Sequence, residues 1–179
     1  EAFSLGSRVV VLDEGRVLQE GGRDDIFERP ASRRVAELVG VRNLLPARVL
    51  ERGEGGAIVA WRGRPLLVQR DDLSSGTMVD LAIRSSRVLI VRADRPVPER
   101  NSFYGRIIEE RLRAENYTLR FRIDGSDEPW DLEIDVPSYV YGRLGLAERK
   151  EVAVTLKAED LHVIPQRRGD SAEPELTGP

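Results

Sequence analysis

Two basic residues stand at matching strand ends, 73 positions apart: Arg84 and Lys157. Each closes an apolar run, Val79-Asp80-Leu81-Ala82-Ile83 before Arg84 and Val152-Ala153-Val154-Thr155-Leu156 before Lys157. In both copies a three-residue turn follows, then a second short apolar strand, over 88–91 or 161–164. A tetrahedral oxyanion needs a positive charge plus several N–H and O–H donors in a shielded pocket. A cation leaving a strand into a tight turn, with the amides of Ser85-Ser86 or Ala158-Glu159 beside it, can supply both. The same residue can equally cap an open barrel end, or pair with Glu159 or Asp160.

Other residue types with chemical potential carry less. His162 has no cysteine, second histidine or fixed carboxylate to make it a metal ligand or base, and reads as a half-exposed strand residue. Asp24-Asp25 and Asp71-Asp72 fall in a helix's first turn and in a loop, where acids serve structure. Gly53-Glu54-Gly55-Gly56 is a hairpin turn rather than a phosphate cradle, because no helix follows it. Trp61, Phe103, Tyr117, Phe121 and Trp130 lie on alternating strands and read as barrel core.

The elements that must position Arg84 and Lys157 are duplicated too. Ala47-Arg48-Val49-Leu50-Glu51 and Gly105-Arg106-Ile107-Ile108-Glu109 match at a spacing of 58. Each repeat is thus a β unit of roughly 50 to 60 residues, about the smallest size that holds its own core. Strands are expected over 45–51, 57–62, 65–69, 79–84 and 88–91, and again over 103–112, 117–123, 130–136, 152–157 and 162–164. In the second unit a helix is expected over 137–146, between the third and fourth strands, which is the pattern of an OB-type barrel. The proline-rich run 95–99 links the units.

Residues 1–43 differ in character. A strand pair (8–12 and 16–20) precedes a short helix ended by Pro30, and Ser32 caps a second helix closed by Gly40. The fold class is therefore mainly β: two OB-like small barrels, 44–95 and 96–165, after a short α/β segment. Residues 166–179 are polar and read as a disordered tail.

Composition narrows the function classes. The net charge is −3 and the pI about 5.4, which gives no basic face for nucleic acid. No apolar run approaches the roughly 18–20 residues that cross a bilayer, and residues 1–6 do not read as a signal peptide. Cysteine is absent, so no disulfide framework or thiolate metal site forms. Only Lys150 and Lys157 of the 28 basic residues are lysines, a bias that reflects base composition or heat adaptation.

The order of residues in the first segment resembles the end of an ABC-transporter ATPase domain. Glu1-Ala2, Arg8, the apolar strand after it, Gly15-Arg16-Val17-Leu18-Gln19-Glu20-Gly21, Ile26 to Pro30, then Val39-Gly40 and Asn43 follow that pattern. Ser7 departs from its usual aspartate. Residues 44–165 resemble the accessory β domain called TOBE. Within that group the second unit resembles the molybdate-binding barrels of molybdate, tungstate and sulfate importers. Asn101-Ser102-Phe103-Tyr104-Gly105-Arg106-Ile107, Leu144-Gly145-Leu146 and Leu156-Lys157-Ala158-Glu159-Asp160-Leu161 carry the likeness. It implies an oxyanion site at Lys157, Ala158, Arg100 and Asn101, with Arg84 at the repeated position. Pro98, Pro137 and Val140 replace three hydroxyl residues of that site, and Ser138 is the substitute donor.

The resemblance implies a C-terminal regulatory and dimerisation region of an importer ATPase subunit. The bound oxyanion would inhibit transport. The expected partners are a second copy and the membrane permease subunits, with no nucleic acid and no membrane insertion, on the cytoplasmic face of the membrane. The Gly-rich phosphate loop, magnesium carboxylate, signature loop and switch histidine of such ATPases do not occur here, so this piece is not itself an enzyme. ATP and magnesium belong to the preceding domain, and no cofactor is expected in this piece. Two other functions fit the residues: a ligand-free dimerisation domain, or a sugar-importer accessory domain that binds a regulatory protein.

Overall fold

The computed structural model describes residues 8–53, 55–92 and 94–166. Most of the expected disordered tail lies outside them. Strands β1 (Arg8–Asp13) and β2 (Arg16–Gly22) form a hairpin whose turn, Glu14-Gly15, is left-handed at both residues. Helices α1 (Arg23–Glu28) and α2 (Arg33–Leu38) follow. Ser32 caps α2 through its hydroxyl, which accepts from the Val35 N–H at 3.2 Å, and Gly40 takes the left-handed position after the helix.

The remainder is antiparallel β. Strands β3 (Asn43–Gly53), β4 (Gly56–Trp61), β5 (Arg64–Val68), β6 (Met78–Ile83) and β7 (Leu89–Ile90) come from the first repeat. Strands β8 (Ser102–Arg113), β9 (Asn116–Ile123), β10 (Leu132–Pro137), β11 (Glu151–Thr155) and β12 (His162–Pro165) come from the second, with α3 (Ser138–Arg143) between β10 and β11. The expected strands of the OB pattern are all present with bounds moved by a residue or two, and its helix is present but ends three residues earlier, at Arg143.

The duplication extends to an irregularity. β3 carries a bulge between Val49 and Glu51, and β8 carries one between Ile107 and Glu109, again 58 positions on. The extra residue at each bulge bends a long strand so that it can curl around a core. Gly105 is required beside it. A Cβ at that position would lie 2.2 Å from the Arg122 carbonyl oxygen and 2.6 Å from the Phe121 ring.

The two repeats do not close separately. The sheets run β12-β6-β3-β4-β5 and β10-β9-β8-β11-β7. So each repeat's last strand completes the other repeat's sheet: His162 lies opposite Ala82, and Ile90 lies opposite Val154. The 3-10 turns Ser85–Arg87 and Ala158–Asp160 send the chain across, and Val88 and Leu161 land buried at equivalent places. Apolar residues of both repeats, from Leu45 and Trp61 to Phe121, Leu156 and Val163, consequently form a single core. Of the aromatics read as core, Trp61 and Phe121 are buried, Phe103 and Tyr117 are partly so, and Trp130 lies under the Arg120 guanidinium.

The N-terminal segment docks on the β region through specific contacts. Arg33 reaches the buried Asp80 carboxylate at 2.8 Å. Ala36 and Val41 pack with Ala82 and Ile164, and His162 Nε2 lies 3.0 Å from the Pro30 carbonyl.

Candidate functional site

The 3-10 turn at Ala158–Asp160 and the crossing chain between β7 and β8 line an open cavity of about 490 Å³. It gathers four of the six candidate residues: Arg100, Asn101, Lys157 and Ala158. Arg95 adds further positive charge, whereas Arg92 is paired with Asp94 at 2.8 Å and Glu159 adds a negative one, and Leu67, Leu89, Pro96 and Pro98 give apolar walls. The Lys157 side chain is half-exposed, and its nearest acid is Glu159 at 3.9 Å. Arg100 is exposed as well. These two solvent-exposed cations are therefore available to an anion beside an apolar wall.

Asn101 does something different. It is buried in left-handed backbone, where asparagine is among the better tolerated side chains. Its side-chain oxygen accepts from the Leu67 N–H and its side-chain amide donates to the Leu67 carbonyl, both at 2.8 Å. Its amide is thus engaged with β5 of the other sheet, and shapes the cavity floor. Thr155, the hydroxyl residue lining the cavity, is bonded to Ser102 at 2.7 Å.

Ser138 and Arg84 lie elsewhere. At the start of α3, the Ser138 backbone N–H and hydroxyl both donate to the Glu115 carbonyl, at 2.8 and 2.9 Å. Arg84 occupies the turn equivalent to that of Lys157 but turns toward the N-terminal segment. It donates to the Phe27 carbonyl at 2.6 Å, lies over the Phe27 ring at 5.3 Å and approaches Glu28 at 3.9 Å. Beside it, Arg42, Ser85 and Ser86 line a groove of about 870 Å³.

That groove exposes what the sequence reading did not use. Arg42-Asn43 sits 58 positions before Arg100-Asn101, the same offset that relates β3 to β8. Asn43 bonds Glu133 of β10 just as Asn101 bonds Leu67, donating to its carbonyl at 2.8 Å and accepting from its N–H at 2.7 Å. The spacing was the available signal.

Two titrating groups have identifiable causes. Burial pushes the His162 imidazole below its ordinary 6.5, and the Arg70 and Arg29 charges act the same way against the opposing hydrogen bond to Pro30. A hydrogen bond from Arg111, then the charges of Arg111 and Arg120, hold the Glu109 carboxyl below its usual range. No group of three or more histidine, aspartate or glutamate side chains among the described residues is placed to hold a metal. Among the described residues no helix is long and apolar enough to cross a membrane.

No family model matches the chain. A sulfate/thiosulfate import ATP-binding protein from Chromobacterium violaceum is 34% identical over 165 residues, covering 92% of this chain and 43% of that protein. A spermidine/putrescine import ATP-binding protein from Pseudomonas aeruginosa is 36% identical over 98 residues, 52% of this chain and 26% of that one. An Fe(3+) ions import ATP-binding protein from Brucella abortus is 30% identical over 90 residues, 50% and 25% of the two. The chain thus spans less than half the length of these relatives. Among solved structures, the cytoplasmic molybdate-binding protein ModG superposes with a TM-score of 0.59 at 16% identity, over 70% of this chain and 98% of ModG. At that identity the likeness is one of fold.

Proposed function

We propose that this chain, whose relatives are the ATP-binding subunits of ABC importers, is the C-terminal regulatory and dimerisation region of such a subunit. In this reading it takes up a tetrahedral oxyanion (molybdate, tungstate or sulfate) in the Lys157 cavity and thereby inhibits transport. The observation that carries it is the convergence of Lys157, Arg100 and the Ala158 turn on one apolar-walled cavity beneath the inter-unit crossing. A bound anion would join the Ala158 turn to the crossing chain, favouring the arrangement that holds it. Regulation then follows from preferential binding to one of two states.

The N-terminal hairpin supports the parentage. Val10, Leu12 and Val17 are exposed on a two-stranded sheet, as expected of an edge that joins a larger ATPase domain. ATP, magnesium and the catalytic residues would belong to that domain, and the permease contacts to the assembled transporter on the cytoplasmic face.

Calorimetric titration with tungstate, molybdate and sulfate, with phosphate as control, tests the reading. Saturable binding of one oxyanion, lost in Lys157→Ala, is expected. A folded protein that gives no heat with any of them would sink it. The second reading, a ligand-free dimerisation domain, is favoured by one observation: the Asn101 amide is fully engaged with Leu67. A dimer in sedimentation that ignores every anion is its signature.

A further inference from the structure

Adjoining the Lys157 cavity through the shared residues Val91, Arg92 and Arg95 lies a second concavity, about 910 Å³ in volume, over the outer face of β8, β9 and β11. Arg92, Arg95, Arg106, Arg122 and Arg149 line it, against Asp124 and Glu151. Two of these arginines are in direct conflict. Arg106 of β8 and Arg122 of β9 are directly opposed cross-strand partners, so like charges face each other on the same side of the sheet. Glu151 stands across Arg106 on β11, yet no ion pair forms between them. Among the described residues Arg95, Arg106 and Arg122 make no side-chain ion pair or hydrogen bond.

An arginine-rich composition does not account for this. Elsewhere among the described residues arginines are matched, as Arg8 with Glu20, Arg33 with Asp80, Arg62 with Asp131 and Arg120 with Glu109, or, like Arg52 and Arg64, unpaired but opposite an uncharged residue, Ala57 and Trp61. The duplication supplies an internal control as well. The residue equivalent to Arg106 is Arg48, and it faces Ala60 on one side and Met78 on the other. The conflict is therefore peculiar to the second repeat and is not demanded by the fold.

We propose that this groove binds a compact polyanion carrying two or more phosphoryl groups. Guanidinium forks grip phosphate oxygens in pairs, and a ligand lying across Arg106 and Arg122 turns their repulsion into shared attraction. The volume is that of a small-molecule site, and the ring of Tyr104, 62% exposed, lines the same groove. The site is distinct from the oxyanion cavity. The two share the linker residues Val91, Arg92 and Arg95, and Arg106 and Arg122 line only the second.

The test is calorimetric titration of the 179-residue chain with inorganic tripolyphosphate at low salt, with monophosphate and citrate alongside. Saturable one-to-one binding of tripolyphosphate is expected, weakened about tenfold or more in Arg106→Glu and in Arg122→Glu. Arg48→Glu and Lys157→Ala should bind as the parent does, and thermal melts confirm that every variant folds. Absence of tripolyphosphate binding overturns the proposal. So does equal weakening by Arg48→Glu, which would mark a general charge effect, and so does citrate binding as tightly, which would remove the phosphoryl assignment. Because tungstate binding is read in the same variants, loss of this site and loss of the oxyanion site are separable.

Discussion

Asn43 and Asn101 make the same bond in opposite directions. Asn43, at the start of β3, holds the Glu133 backbone of the second sheet, and Asn101, just before β8, holds the Leu67 backbone of the first. Each side-chain amide stands in for a neighbouring strand at an edge residue of the opposite sheet. With the exchanged strands β7 and β12, they make the two repeats a single folding unit.

Removing either amide leaves a backbone N–H and carbonyl without their partners in a largely buried setting. Asn101→Ala and Asn43→Ala should each destabilise the chain by about 2–3 kcal/mol. Urea unfolding measures this, and the transition should stay single because neither repeat closes alone. A loss below about 0.5 kcal/mol would mean that water replaces the amide, and two transitions would mean that the repeats fold independently.

Gly105 sets a steric limit rather than a polar one. In Gly105→Ala the new methyl meets the Arg122 carbonyl and the Phe121 ring, and β8 and β9 must part to admit it. A cost of about 1–3 kcal/mol is expected. The reverse change at the equivalent position, Ala47→Gly, removes a buried methyl instead and should cost about 1 kcal/mol. Equal tolerance of alanine at both positions would contradict the close approach.

How far the sequence carries is visible in these same residues. Alternation of apolar side chains located the strands, because Val79, Leu81 and Ile83 must share the buried face whichever neighbour they pair with. The exchange of β7 and β12 was not legible for the same reason. A short apolar strand has the same pattern against either sheet, and β7 is only two residues long. Lys157, Ala158, Arg100 and Asn101, which the family resemblance groups, line one cavity. The role of Arg84 was hidden because its partner, the Phe27 carbonyl, is 57 positions away in a different kind of segment. Backbone acceptors leave no trace in residue identity.

Arg84 and Lys157 should accordingly respond differently to the same change. Lys157→Ala removes a half-exposed cation 3.9 Å from Glu159 and should alter stability by less than about 0.5 kcal/mol. Any loss of anion binding in that variant then reports the site and not the fold. Arg84→Ala removes a charged hydrogen bond and a ring contact that fasten the N-terminal segment. Hydrogen exchange should speed up in β1, β2, α1 and α2 while the β sheets keep their protection. Uniform loss of protection would show that the segment is not separately fastened.

His162 couples that segment to pH. The Pro30 carbonyl can only accept, so Nε2 carries the proton and donates at 3.0 Å. Burial, aided by Arg70 and Arg29, lowers the imidazole pKa in the folded chain below its ordinary 6.5. The unfolded chain therefore takes up a proton first as pH falls, and stability present above pH 6.5 is lost as pH drops through the folded value. The carboxylates held low by arginine, Asp13, Asp72 and Glu109, act in the same direction but in a lower window, below their ordinary 3.8 to 4.5. Melting temperatures between pH 5 and 8 separate the two contributions. The parent should lose stability below pH 6.5, and His162→Gln, which keeps a side-chain donor near Pro30, should stay flat over the same range. Parallel curves for parent and variant would remove His162 as the source.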